Sequence, residues 1–282
     1  MTREPHDIER AIGKLKSFSE AGDGIVEAVA CGSAAIPALR ALLFERDTSG
    51  FFQVRHRVVD VLAALKAHDI LIAFLSADRV ARDPVERLGD DAVINHAAWA
   101  VARTRDERAF AVLLRLAQRP CLSGVIGALG TFGRIEALPA LVAALEEDGS
   151  RNIAQYMLRR MGQDALPALL VSANCRLPSP HRESVSSLRR RRTSLTLLAH
   201  IGLSPDSWPQ IRGLMLDNDA AIVVRTCKLC LLYAPGERLN AIGHLTTLLP
   251  SADWMLRTEI ERCLGGIMPP ASRPPPARKT LH

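Results

Sequence analysis

One short pattern constrains this chain more than any other: a glycine, a brief gap, then Ala-(Ile/Leu)-Pro-Ala-Leu. It stands at Gly32 with Ala35-Ile36-Pro37-Ala38-Leu39, at Gly133 with Ala137-Leu138-Pro139-Ala140-Leu141, and at Gly162 with Ala165-Leu166-Pro167-Ala168-Leu169. Glycine suits the end of a helix because it tolerates positive φ. Proline suits the first turn of the next helix, where the amide it lacks has no partner to lose. Leu and Ala then supply a packing face. A helix–turn–helix signature that recurs along one chain points to stacked repeats.

A second spacing runs through the same sequence. An Arg is followed eleven residues later by Gly at Arg119 and Gly130, Arg151 and Gly162, Arg191 and Gly202, and Arg225 and Gly236. Arg55 and Arg257 open similar stretches without the Gly. Seven residues after these arginines stand Leu62, Ile126, Leu158, Leu198, Leu232 and Leu264. Ten residues after stand Leu65, Leu129, Met161, Ile201, Pro235 and Ile267. Offsets of seven and ten share one helix face at about 100° per residue. Each Arg therefore opens a helix with an apolar stripe. From Arg119 onward the slot recurs at Arg151, Arg191, Arg225 and Arg257, a period of roughly 30–40 residues, the size of one helix pair. The interval from Arg55 to Arg119 has room for two units. It places a missing opener near Asn95, before a helix at 96–102.

The expected fold class is all-α, an α-solenoid of about seven antiparallel helix pairs. First helices fall near 34–45, 68–77, 106–117, 134–146, 164–173, 205–216 and 236–249. Second helices fall near 52–66, 91–104, 120–130, 150–161, 183–201, 219–234 and 251–267. Residues 1–33, amphipathic over Ile8–Ala30, are expected to cap the stack, and the repeats to fill 34–268. The tail 269–282, with five prolines among fourteen residues, is expected to be disordered. The connections 76–91, with Pro84, and 174–183, with Pro178 and Pro180, are not expected to be helical throughout.

Composition supports this. Aromatic residues make up 4% of the chain, which suits Ala- and Leu-rich helix packing better than a β-sandwich or barrel. No apolar run approaches the ~18–20 residues of a membrane helix, so no membrane partner is expected. Arg3, Glu4, Asp7, Glu9 and Arg10 do not fit a signal peptide. A cytoplasmic setting with six free thiols follows as the expectation.

The stretch Asp217-Asn218-Asp219 followed by Val224-Arg225, and the run Ala-Leu-Pro-Ala-Leu-Val-Ala-Ala-Leu at 137–145, resemble HEAT repeats, especially the short bacterial kind named after phycobilisome lyases. The resemblance covers about 34–267 and implies a HEAT-like superhelix, not an activity. It also implies an Asp–Arg ladder in the turns. Asp219 and Arg225 match such a pair, whereas Arg55, Arg151, Arg191 and Arg257 lack an Asp at that offset.

A net charge of +6 and a pI near 9.3 suggest nucleic acid, but the excess is local. The tail carries +3 and Arg189–Arg192 carries +4, so without them the net falls from +6 to −1. A broad basic face is not expected. Arg189–Arg192 reads as a phosphate patch or, preferably, as a solvated helix start on which Arg191 fills the repeat slot. Trp99, Trp208, Trp254 and the pair Asp253-Trp254 raise the chemistry of HEAT-like DNA glycosylases, which surround an alkylated base with aromatics and an Asp. The low aromatic count favours core or interface tryptophans instead.

Other chemistry is sparse. Cys227-Lys228-Leu229-Cys230 lacks the two further ligands a zinc site needs; His244 is the nearest downstream His. With the apolar stripe centred on Leu232, both thiols are expected on the open side of their helix. Gly127, Gly130 and Gly133 mimic a glycine loop but follow no expected strand, so tight packing or a helix end accounts for them. No HExxH, Walker loop or GxSxG is present. No catalytic, metal or cofactor-binding residue is assigned, and no cofactor is expected.

The slot residues Arg151, Arg191 and Arg225 are expected to bond turn carbonyls or an acid such as Asp219. Second helices that bury offsets seven and ten expose offsets one, five and nine. That places His56 and Asp60, then Asn152, Tyr156 and Arg160, then Arg192, Thr196 and His200, and later Arg262, on a partner-binding ridge centred on Tyr156 and Arg160. The expected function is a non-catalytic scaffold binding a protein or peptide on its concave face. Alternatives are a nucleic-acid-binding or DNA-repair solenoid and an accessory subunit of a modifying enzyme.

Overall fold

A computed structural model describes residues 5–78, 81, 83–120, 122–177 and 182–265. They form helices and turns, with no strand among the described residues. The helices are α1 (Pro5–Lys16), α2 (Ala21–Ala30), α3 (Ile36–Phe44), α4 (Gln53–Ala64), α5 (His68–Ser76), α6 (Pro84–Ala102), α7 (Glu107–Leu116) and α8 (Ser123–Thr131). There follow α9 (Leu138–Ala143), α10 (Asp148–Met161), α11 (Leu166–Asn174), α12 (Val185–Ile201), α13 (Trp208–Ile211), α14 (Ala220–Tyr233), α15 (Arg238–Leu248) and α16 (Trp254–Gly265).

The glycine–proline signature acts as its chemistry demands. Gly32, Gly133 and Gly162 take φ of +63°, +66° and +59°, and each is followed by a short 3-10 turn. Pro37, Pro139 and Pro167 then sit in the first turns of α3, α9 and α11. The same left-handed turn also occurs at Lys66 (φ +57°) and Arg105 (φ +59°), which no glycine search finds. These five turns close α2, α4, α6, α8 and α10, once per helix pair, whereas α12 ends at Gly202, whose φ of +95° and ψ of +146° make a different turn.

The chain divides into two compact units, Met1–Met157 and Leu158–His282, and the division falls inside α10. In the first unit α4, α6 and α8 are successive neighbours in one row, while α3, α5 and α7 form a second row. α1 and α2 pack on each other and on α4. Leu43, Leu62, Leu71, Phe74, Leu113 and Leu129 are buried there. In the second unit α14 neighbours α12, α15 and α16, and α11 packs on α12 and α13. Leu169, Leu198, Ile222, Leu245 and Ile260 form its core.

Close packing of α6 on α8 depends on missing side chains. A Cβ at Gly124 would collide with Asn95, and one at Gly127 with Trp99 and Ile153. One at Gly130 would meet Met157. Tight packing is thus the role of Gly127 and Gly130, and a left-handed helix end that of Gly133.

Three expectations need correction. The connection at 76–91 is shorter than expected, because Asp83 caps α6 by accepting from the Val85 and Glu86 amides and Pro84 occupies the first turn. Asn95 therefore opens no helix. It sits within α6, and its Oδ1 accepts from the Gly124 amide (2.9 Å) and the Val125 amide (3.2 Å) at the start of α8. The apolar stripe holds for Leu62, Ile126, Leu158 and Leu198, but Leu232 is 55% exposed and Leu264 only half-buried. Of the second offset, Leu129 is buried, Leu65, Met161 and Ile201 are half-buried, and Pro235 is exposed. α14 is packed by α12, α15 and α16, which rotates its buried face away from Leu232. Pro178, Pro180, Ile267 and the tail 269–282 lie outside the described residues.

Candidate functional site

The second unit holds a cleft of about 810 Å³ between α14 and α16. Its walls follow from helix periodicity. α14 presents Ala221, Arg225, Lys228 and Leu232 at spacings of four, three and four, so they share one face. α16 answers with Met255, Leu256, Glu259, Arg262 and Cys263, and Arg192 reaches in from α12.

The cleft's edge is held by charged hydrogen bonds. Asp219 caps α14 by accepting from the Ile222 amide (3.0 Å). The same carboxylate takes both arms of Arg192, with Nε at 3.0 Å from Oδ1 and Nη2 on Oδ2. This bond raises the Arg192 pKa against the opposing effect of partial burial. Beneath it, Arg191 is fully buried and saturated. Its Nε donates to the Ala173 carbonyl (2.8 Å), Nη1 to Glu183 (2.6 Å) and Nη2 to Asp217 (2.6 Å). Burial pushes the Asp217 carboxyl up, but Arg191, the Asp219 amide and Arg176 outweigh it and hold the group below its ordinary value.

Other cations are less committed. Arg225 makes only a 3.4 Å bond to the Ala221 carbonyl and a 3.8 Å ion pair with Glu259. Arg238 donates to the Leu231 carbonyl (3.1 Å). Lys228 and Arg262 are exposed and have no hydrogen-bond or ion-pair partner among the described residues. Between the charges lies apolar surface, chiefly Leu232 and Met255, the latter 64% exposed. No aromatic residue lines the cleft among the described residues.

Several expected pairings change. Asp219 pairs with Arg192, not with Arg225. Arg192 lies on the neighbouring helix α12, whereas Arg225 sits further along Asp219's own helix and reaches forward to α16. Arg192, read as a ridge residue, is thus half-buried at the cleft's edge. Arg189–Arg192 is not a solvated helix start, because Arg190 and Arg191 are buried and Arg190 donates to the Cys175 carbonyl (2.6 Å). Arg151 bonds Asp148 on its own helix. Cys227 and Cys230 are not on the open side: both are fully buried. Burial raises the Cys227 pKa to about 12 and that of Cys230 to about 11.

The remaining ridge residues divide between the units. In the first, Asp60, Asn152 and Tyr156 are exposed, while His56 is half-buried and stacks on His96 with ring centroids 4.4 Å apart. Burial lowers the His56 pKa. His96 Nε2 lies 2.7 Å from Asp60 Oδ1. In the second unit Arg160, His200 and Arg262 are exposed and Thr196 is half-buried, its hydroxyl donating to the Arg192 carbonyl (3.0 Å). The ridge residues that reach the cleft are Arg192 and Arg262, joined by the slot residues Asp219 and Arg225.

The tryptophans differ in setting. Trp208 is buried and donates to Glu237 (2.9 Å), Trp99 covers Gly127, and Trp254 is exposed. Asp253 accepts from the Leu256 amide (2.8 Å) at the start of α16. Sequence reading missed Lys228, and also the buried pair Arg55–Asp90 (2.5 Å). Asp90 and Asp217 stand at different distances along the chain from Arg55 and Arg191, so no common offset reveals both pairs.

Among the described residues no group of three His, Cys, Asp or Glu side chains is placed to hold a metal ion. No single helix among them is long and apolar enough to cross a membrane. Neither a protein-family model nor a curated protein matches the chain.

Proposed function

We propose that this chain is a non-catalytic, cytoplasmic protein-binding module, a HEAT-like α-solenoid by repeat type, that holds a peptide segment of its partner in the α14–α16 cleft. The observation that carries this reading is the convergence there of exposed Leu232 and Met255 with the unpartnered cations Lys228 and Arg262. Apolar anchors inside a polar rim are the usual anatomy of a protein interface. The repeating left-handed turns and the paired rows of helices within the first unit support the repeat type. The cleft offers no aromatic stacking surface for bases among the described residues, which disfavours nucleic acid.

The test is site-specific cross-linking. A photoreactive phenylalanine analogue at Leu232 should capture one stoichiometric protein in the native host. The same group at Leu239, which is 83% exposed and lies outside the cleft, should not. Capture of nucleic acid alone, or equal capture from both positions, would overturn the proposal.

A further inference from the structure

Resting on that reading of the cleft, we infer that its partner segment is an acidic amphipathic helix of about three turns. The charge balance sets the sign. Five cations and three carboxylates line the cleft, and two of the cations, Lys228 and Arg262, face it without a partner among the described residues. A segment carrying Glu or Asp opposite them gains two ion pairs without breaking any bond already made. A basic segment meets like charge. This disfavours the chain's own tail 269–282, which carries three cations and no acid.

Backbone chemistry sets the conformation. The cleft's main walls are helices, whose amides and carbonyls are already bonded within each helix. They offer no free edge to which an extended peptide could add a strand. An extended segment would leave its own backbone groups unpaired against Leu232 and Met255, which is costly. A helix satisfies its backbone internally and presents apolar residues at i, i+3, i+4 and i+7. The lining face of α14 runs from Ala221 to Leu232, about 16 Å at 1.5 Å per residue, which sets the length at three turns.

The test uses the full chain and three fluorescent probes read by anisotropy. One is an amphipathic helical peptide with Glu on its polar face and Leu on its apolar face. The second replaces every Glu by Lys, and the third is a single-stranded oligonucleotide. The acidic peptide should bind at least about tenfold more tightly than either, and salt should weaken it. Lys228→Glu with Arg262→Glu should weaken it by at least about tenfold. Leu232→Ala should weaken it independently of salt. Because these side chains are exposed, all variants should keep native helicity by circular dichroism. Equal or tighter binding of the Lys peptide or the oligonucleotide would overturn the inference, as would indifference to the charge reversal. If the acidic peptide fails while the cross-linker at position 232 still captures a protein, the peptide chemistry is wrong and the binding function stands. If both fail, both fall.

Discussion

Arg191 and Arg225 share the same sequence slot, eleven residues before a glycine, yet the bonds they make differ sharply. Arg191 is fully buried with three short hydrogen bonds, so Arg191→Ala should cost about 3–5 kcal/mol by leaving the buried Asp217 carboxylate with Arg176 alone and by removing the bonds to Glu183 and the Ala173 carbonyl. Arg225 is a quarter exposed and its contacts are long, so Arg225→Ala should cost less than about 1 kcal/mol. Urea denaturation measures both, and equal losses would contradict the assignment. Asp217 adds a pH dependence. Its native pKa lies below the unfolded value, so its stabilisation is complete above the unfolded pKa and is lost as pH falls through the native one. Arg191→Ala should flatten that acid limb of the stability profile. The thiols make a third residue-scale prediction. On brief alkylation of native protein, exposed Cys175 should react well before Cys227 and Cys230. Mass spectrometry reads the order, and fast labelling of Cys227 would contradict its burial. The Arg slots are legible in the sequence because a repeated spacing exposes them. Which acid each meets is not, because that depends on the rotation of the neighbouring helix.

Most of the helices are legible in the sequence to within a few residues, because Gly at a helix end and Pro at a helix start both constrain the backbone locally. α6 is the main miss: Pro84 alone reads as a break, and Asp83 turns it into a start. Lys66 and Arg105 escape the pattern because they take a left-handed turn that glycine takes elsewhere. Two substitutions test these backbone arguments. Lys66→Gly removes a Cβ penalty at φ +57° and should be neutral or stabilising by up to about 1 kcal/mol. Gly127→Ala places a methyl against Trp99 and Ile153 and should destabilise by about 1–3 kcal/mol. Thermal melts of the two variants should shift in opposite directions or only for Gly127, and a loss at Lys66 equal to that at Gly127 would contradict the account.

For the molecule as a whole, the placement of charge is more informative than its total. Much of the basic excess in Arg189–Arg192 is committed to internal hydrogen bonds with carbonyls and acids, so it forms no open phosphate patch. The cations that remain available in the cleft, Lys228 and Arg262, belong to different helices and meet only through the pairing of α14 with α16. Arg262 is legible from the repeat offset. Lys228 is not, because the rotation of α14 is set by packing against three neighbours. The most direct measurement is hydrogen exchange of the chain alone and in complex with its captured partner. Slowed exchange confined to segments 219–232 and 253–263 is the expected result. Slowed exchange in the first unit, around Asp60, Asn152 and Tyr156, with the cleft segments unchanged, would contradict the central claim that binding occurs between α14 and α16.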